Sequence, residues 1–251
     1  MIYPLVSLIT FISEYLDSGL GMGYGTALTP ILIIMGFEPL KVIPAVLISQ
    51  LFTDIAACIS HHRLENVNFK IGSNDFKAAL LLGALGSIGV TIAVITAIKI
   101  PKNILTFYIG SLVLVMGLLV IYTIKRKMRF SWSKLIGIGL LASFNKGISG
   151  GGYGPLVMGG QLVCGLNVKN AVGITAFSEA ITCLVGFCVY LITGRIIDWK
   201  LVGFLIISAI LAVPVAALTV KKTPSDSLKR YIGLLMIVLG LFTILKIASG
   251  S

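Results

Sequence analysis

The chain has 251 residues, 57% of them hydrophobic and only 12% charged, with a formal net charge of +11. Soluble domains sit near 45–50% apolar and about 25% charged; the mean hydropathy of +1.04 excludes that class and indicates a polytopic membrane protein. The positive charge does not point to nucleic acid, because Lys and Arg gather in short loops between apolar stretches, as the positive-inside rule expects.

The first residues carry no basic n-region and no small-residue cleavage site, so a cleaved signal peptide is not expected. Apolar regions follow at about 4–36, 42–60, 78–98 and 104–124, and again at about 135–166, 170–193, 201–220 and 229–248. The uncharged runs 78–98, 104–124 and 201–220 match the ~20 residues a helix needs to cross a bilayer. They are continuous rather than alternating, which excludes a β-barrel. The expected class is an all-α polytopic membrane protein.

The first region of each half is unusual. Near 18–25 and 145–155 it is interrupted by glycine clusters, Gly21, Gly23 and Gly25 in the first and Gly150, Gly151, Gly152 and Gly154 in the second. Each interior glycine costs a helix roughly 1 kcal/mol relative to alanine. Irregular backbone at membrane depth is tolerated only where it packs on protein or lines a cavity.

Sliding the chain against itself by 129 positions superposes Gly23, Tyr24 and Gly25 on Gly152, Tyr153 and Gly154, Ser49 on Ser178 and Thr53 on Thr182. Toward the ends of the halves the offset becomes 123, matching Pro101 to Pro224 and Gly117 to Gly240. The expected organisation is a first membrane repeat over 1–124, a basic cytoplasmic linker over 125–134 and a second repeat over 135–251, the internal symmetry common among transporters.

Some 30 residues is long for one span and short for two, so each first region is either a broken span or a hairpin returning to its own side. With two hairpins, thirteen basic residues fall on the inside and six outside; if the second region spans fully the split is eleven to eight. The hairpin arrangement fits the rule better and inverts one repeat relative to the other.

Glu14, Asp17, Asp54, Lys146 and Glu179 are the charges within apolar regions, and such groups are functional candidates by default. Asp17 aligns with Lys146, and Gln50 with Glu179. Glycine amides and the positive ends of half-helices suit an anion, so Lys146, Ser149, Gly150, Gly151, Gly152, Tyr153, Gly154, Gly21, Gly23, Tyr24, Gly25, Gln50 and Ser178 are the candidate substrate-binding residues. Lys146 also suits a salt bridge to Asp17 or Glu179. Asp17, Asp54 and Glu179 are candidates for gating or proton coupling, because a carboxyl in a low-dielectric site readily takes up a proton.

No metal site or cofactor is expected. His61 and His62 read as interfacial, and Cys58, Cys164, Cys183 and Cys188 as small buried hydrophobes without metal-like spacing. Gly83, Gly86, Gly89, Gly110 and Gly117 read as helix-packing positions, and Trp132 and Trp199 as interfacial anchors. An enzyme is not expected: Ser149 has no histidine at membrane depth, and Asp17 with Asp54 lacks an aspartyl-protease motif. No Walker loop exists, so ATP does not drive this chain directly.

The two glycine clusters, the turns at Met35, Gly36, Phe37 and Cys164, Gly165, Leu166, and the polar-bearing helices after them resemble the sulfite exporter TauE/SafE family over essentially the whole chain. Met22 departs from the glycine expected there. The resemblance implies a secondary transporter of sulfite, an organosulfonate or a related small anion across the cytoplasmic membrane, with a small anionic substrate and the lipid bilayer as partners. A passive anion channel, or a membrane subunit delivering sulfur anions to a partner, is the alternative, and a homo-oligomer is left open.

Overall fold

The computed structural model describes residues 2–37, 39–96, 102–124, 129–149, 153–192 and 197–248. Among them the chain is helical and contains no strand. Helix α1 (Ile2–Leu20) ends at the first glycine cluster, a π-helical turn (Tyr24–Leu28) follows, and α2 (Thr29–Ile34) completes the first region. Then come α3 (Pro39–Arg63), α4 (Asn74–Thr96) and α5 (Lys102–Thr123). The second half comprises α6 (Trp132–Ser149), α7 (Tyr153–Val163), α8 (Val168–Ile192), α9 (Trp199–Ile210), α10 (Ala212–Lys222) and α11 (Ser225–Ala248).

Four segments among the described residues are long and apolar enough to cross a bilayer: Lys41–Arg63, Asn74–Ile92, Val168–Ile192 and Trp199–Lys222. The 201–220 run, expected as one helix, is interrupted at Leu211. Pro214, third in α10, explains this: it lacks an N–H and its ring crowds the carbonyl four residues back. Helix starts are capped by polar side chains. Ser73 Oγ accepts from the Phe76 N–H at 3.1 Å, and Asp198 Oδ1 from the Leu201 N–H at 3.0 Å.

Polarity is distributed inside out. Ile12, Leu8, Ile92, Leu118, Phe242 and Leu245 are exposed, whereas Glu14, Asp17, Asp54, Gln161 and Glu179 are buried. A bilayer supplies the apolar solvent that makes such an exterior stable. Trp199 is exposed at the start of α9. The cysteines are free; Cys164 and Cys183 are buried, but Cys188 is exposed, contrary to the expectation of a buried hydrophobe.

Helices α3 and α8 cross at the centre. Helix α4 packs against α8 and α6, α9 and α10 pack against α3 and α1, and α5 packs along α11. Small residues allow the closest of these contacts. A Cβ on Gly117 would stand 2.9 Å from the Ile237 backbone nitrogen and 3.0 Å from the Gly233 carbonyl oxygen. A Cβ on Gly83 would stand 2.6 Å from Ile181.

Helix α7 folds back along α6. Gly160 is packed directly on Ile138, and Gly165, just past α7, lies against the backbone of Arg129 and Phe130, just ahead of α6. The pair α6–α7 therefore leaves on the side from which it entered. In the first region, Gly23 sits beside Ser13 and Leu16, so the chain also turns back on α1 there.

Replacement of Gly117 by leucine is expected to lower the stability of the purified protein by about 1–3 kcal/mol, the cost of overpacking. Gly137→Ala, at a helical position where an added Cβ meets nothing within 4 Å, leaves the melting midpoint unchanged or slightly raised. Equal midpoints for the two variants in detergent would contradict the packing described.

Candidate functional site

At the first break the backbone takes conformations that only glycine adopts cheaply: φ is 70° at Gly21 and 138° at Gly23. The chain reverses within three residues, which leaves backbone groups exposed to their own surroundings. The Gly21 N–H donates to the Asp17 carbonyl at 2.7 Å. The Tyr24 N–H, opening the returning helical turn, donates to Asp17 Oδ1 at 3.1 Å, and Gln50 Nε2 approaches Asp17 Oδ2 at 3.5 Å. A carboxylate at a helix N-terminus meets the positive end of the helix dipole. The amide of Tyr24 is thus engaged by the chain's own Asp17 rather than open, as the sequence suggested.

The second break lies opposite. Tyr153 and Gly154 are buried, and a Cβ on Gly154 would stand 3.2 Å from both the Gly21 carbonyl oxygen and Met22 Cα. The two breaks therefore touch backbone to backbone. Gly150, Gly151 and Gly152 lie outside the described residues, as do the side chains of Lys146, Ser149 and Thr26.

Hydrogen bonds recur at positions 129 apart. Tyr24 Oη and Ser49 Oγ bond at 2.9 Å, and Tyr153 likewise reaches Ser178 while donating to the Leu82 carbonyl at 2.9 Å. Ser49 donates to the Val46 carbonyl and Ser178 to the Thr175 carbonyl. Thr53 donates to the Gln50 carbonyl and Thr182 to the Glu179 carbonyl. Each i−3 bond satisfies a hydroxyl that burial would otherwise strand.

Carboxylates gather beside the touching breaks. Asp17, Asp54 and Glu179 are all buried, and one oxygen of each lies within 4.8 Å of the others. Glu14, one turn before Asp17 on α1, is completely buried and accepts from Ser18 Oγ at 2.5 Å. Among the residues whose side chains are described, no lysine or arginine is buried.

Two features escaped the sequence. His61, expected at the interface, is completely buried, whereas His62 is exposed. Asn66 Nδ2 donates to His61 Nδ1 at 3.1 Å and to the Ala217 carbonyl at 2.9 Å, so His61 carries its proton on Nε2 and donates to the Ser18 carbonyl at 2.8 Å. The imidazole thereby props α1 immediately before the break. The second is Gln161 of α7, completely buried, whose Nε2 donates to Thr175 Oγ1 at 2.7 Å. A lone glutamine in a glycine-rich apolar helix was the available signal for it.

A family model described as Sulfite exporter TauE/SafE matches residues 6–246. The chain is 27% identical over 227 residues to a probable membrane transporter protein, YtnM, of Bacillus subtilis strain 168, covering 85% of this chain and 73% of that protein. No solved structure gives a significant match.

Asn66→Ala strands His61 Nδ1, a buried acceptor whose loss of a partner costs about 1–3 kcal/mol. The melting midpoint is expected to fall by several degrees; a midpoint equal to wild type would refute the propping role of His61.

Proposed function

Because the chain belongs to the sulfite exporter TauE/SafE family of membrane transporters, we propose that it is a secondary carrier of a small sulfur oxyanion, sulfite or an organosulfonate, across the cytoplasmic membrane. The carrier consists of two inverted repeats, 1–124 and 135–251, joined by the basic linker 125–134 on the cytoplasmic side. The observation that carries this is the contact of Gly154 with Gly21 and Met22 inside a buried polar shell. Two helix reversals meeting inside a membrane protein are the arrangement in which transporters hold substrates. The recurring bonds of Tyr24 and Tyr153, Ser49 and Ser178, and Thr53 and Thr182 support the duplication. So does the packing: exchanging each helix for its counterpart maps α4 on α8 onto α9 on α3, and α4 on α6 onto α9 and α10 on α1.

The substrate is held by Lys146, Ser149, Gly150, Gly151, Gly152, Tyr153 and Gly154 on one side, and by Gly21, Gly23, Tyr24, Gly25, Gln50 and Ser178 on the other. Lys146 supplies the full positive charge, and the amides and hydroxyls its hydrogen bonds. Asp17, Asp54 and Glu179 are the gating and coupling groups. Their proximity repels an anion unless their charge is compensated, which ties substrate entry to a second ionic event. Burial of all three (6%, 1% and 6% exposed) describes a closed centre, which favours a carrier over an open channel.

Proteoliposomes loaded with unlabelled sulfite are expected to accumulate labelled sulfite, thiosulfate or a short organosulfonate by saturable counterflow. Lys146→Ala, losing a charge-assisted hydrogen bond of about 1.5–3 kcal/mol, weakens the apparent affinity roughly 10–100-fold. Flux that is unsaturable and follows voltage would make the protein a channel, and an unaffected Lys146→Ala variant would move the anion away from the second break.

A further inference from the structure

An open cavity of about 390 Å³ lies between the end of α3 and the start of α8, away from the two breaks, lined by His62, Arg63, Glu65, Asn68, Lys70 and Asn170. That volume is in the ~300–1,000 Å³ range of ligand sites. Its wall is firmly built. Helix α3 ends in a Schellman turn, the Glu65 N–H donating to the His62 carbonyl at 3.1 Å and the Asn66 N–H to the His61 carbonyl at 2.9 Å. Glu65 holds the left-handed position of that turn, with φ 61°, where glycine is usual. Buried Asp75 accepts from the Asn68 N–H at 2.9 Å and from Asn170 Nδ2 at 2.6 Å, so one carboxyl ties the loop 64–73 to α8.

The cations on this wall are not spent on the protein. Arg63 and Lys70 form no ion pair with a described residue, and Glu65, the carboxylate of the wall, pairs with neither. They meet the negative end of the α3 dipole, which holds charge there without using its hydrogen-bond donors. His62 Nδ1 sits 3.2 Å from the Val67 carbonyl oxygen and 3.3 Å from the Phe69 amide nitrogen, which fixes the ring. Its Nε2 has no partner among the described residues.

The surroundings point to lipid. The loop 64–73 joins the bilayer-spanning segments Lys41–Arg63 and Asn74–Ile92, so the cavity opens at the membrane surface. Ile71, next to Lys70, is 94% exposed; acyl chains accommodate such a side chain and water does not. Lys169 Nζ donates to the Lys221 carbonyl at 2.6 Å, and Gly165 lies against the backbone of Arg129. Lys169, Lys221 and Arg129 therefore share this end of the bundle with Arg63 and Lys70, and Trp132, partly exposed at the start of α6, stands at the same level. A basic pocket between spanning helices is the feature that anionic headgroups recognise.

We propose that this cavity binds the phosphate of an anionic phospholipid. The Arg63 fork and Lys70 take the phosphate oxygens, His62 and Asn68 supply neutral polar contacts, and Ile71 enters the acyl layer beside them. Two cations and one carboxylate leave a net charge of +1, which matches the single negative charge of a phosphodiester. Asn66, in the same loop, holds His61 and the Ala217 carbonyl, so the bound lipid steadies the prop of the first break. None of this depends on the anion-carrier reading.

The test melts the purified full chain in detergent, at constant ionic strength, with short-chain phosphatidylglycerol, short-chain phosphatidylcholine, inorganic phosphate or sulfite. Phosphatidylglycerol is expected to raise the midpoint saturably, by roughly 5–10 °C at a hundredfold excess over its dissociation constant. Phosphatidylcholine and the two soluble anions leave it nearly unchanged. Arg63→Ala combined with Lys70→Ala moves the required lipid concentration roughly 30-fold higher. Lys77→Ala combined with Lys222→Ala, which removes two charges from the same end but none from the cavity, has little effect.

Equal rises with both lipids would reduce the effect to general solvation by lipid. A rise with phosphate or sulfite would make the cavity a site for soluble anions. Equal losses in the two double variants would mean diffuse surface charge. Each of these, or no rise at all, would overturn the proposal. If the Arg63 and Lys70 variant does not fold, native mass spectrometry of wild type decides: one phosphatidylglycerol retained in preference to phosphatidylcholine supports the site, and no preference refutes it.

Discussion

Two backbones touch at the centre of this molecule, Gly154 against Gly21 and Met22, and much of the surrounding chemistry follows from that contact. Glycine eases it, because a Cβ at position 154 would stand 3.2 Å from the opposite backbone and ask it to give by a few tenths of an ångström. A reversal at membrane depth frees amides and carbonyls from the helical ladder, and no water is there to receive them. Asp17 answers for the Tyr24 amide, and His61 for the Ser18 carbonyl just before the turn. The polar residues of the core are thus required by the break before they are available to a substrate.

The same requirement makes the core electrostatically costly. Removing a carboxylate from water costs several kcal/mol even after relaxation, and Glu14, Asp17, Asp54 and Glu179 are all buried here. The cost is offset by the hydrogen bonds of Ser18, Gln50 and Tyr24 and by the apolar exterior that lipid covers. In the carrier proposed above, a cluster of carboxyl groups at the meeting of the breaks is where the movement of one ion would be linked to that of another.

Much of the scaffold was legible in the sequence because the bilayer imposes length and hydropathy directly. The apolar regions at 42–60, 78–98 and 104–124 correspond to Pro39–Arg63, Asn74–Thr96 and Lys102–Thr123. The charges within apolar stretches were conspicuous for the same reason: Asp17, Asp54 and Glu179 stood out, and the fold gathers them. What could not be read was direction. Asp17 aligned with Lys146 and read as a gating or coupling group or a salt-bridge partner of that lysine; that its carboxyl caps Tyr24 is a matter of three-dimensional approach rather than spacing. His61 read as interfacial because its neighbours are polar; only the partnership with Asn66 and Ser18, set by the folding of the 64–73 loop, explains its burial. The interruption at Leu211 was signalled by Pro214 but masked by the unbroken hydropathy around it. Gly150, Gly151, Gly152 and the side chain of Lys146 fall outside what the structure describes, and their roles stand on the sequence and the proposal alone.

The contact between the breaks can be measured directly. A Cβ on Gly154 would lie 3.4 Å from Met22 Cβ, close to the separation of about 3.5–4.5 Å that a disulfide needs. In a chain whose four native cysteines are replaced, Met22→Cys with Gly154→Cys should cross-link under mild oxidation in native membranes. With a protease site inserted in the 125–134 linker, the two halves would then migrate as one species until reduced. Halves that separate without reductant, in protein that still folds and is oxidised, would mean that the two breaks do not meet, and the account of the site built on their contact would be wrong.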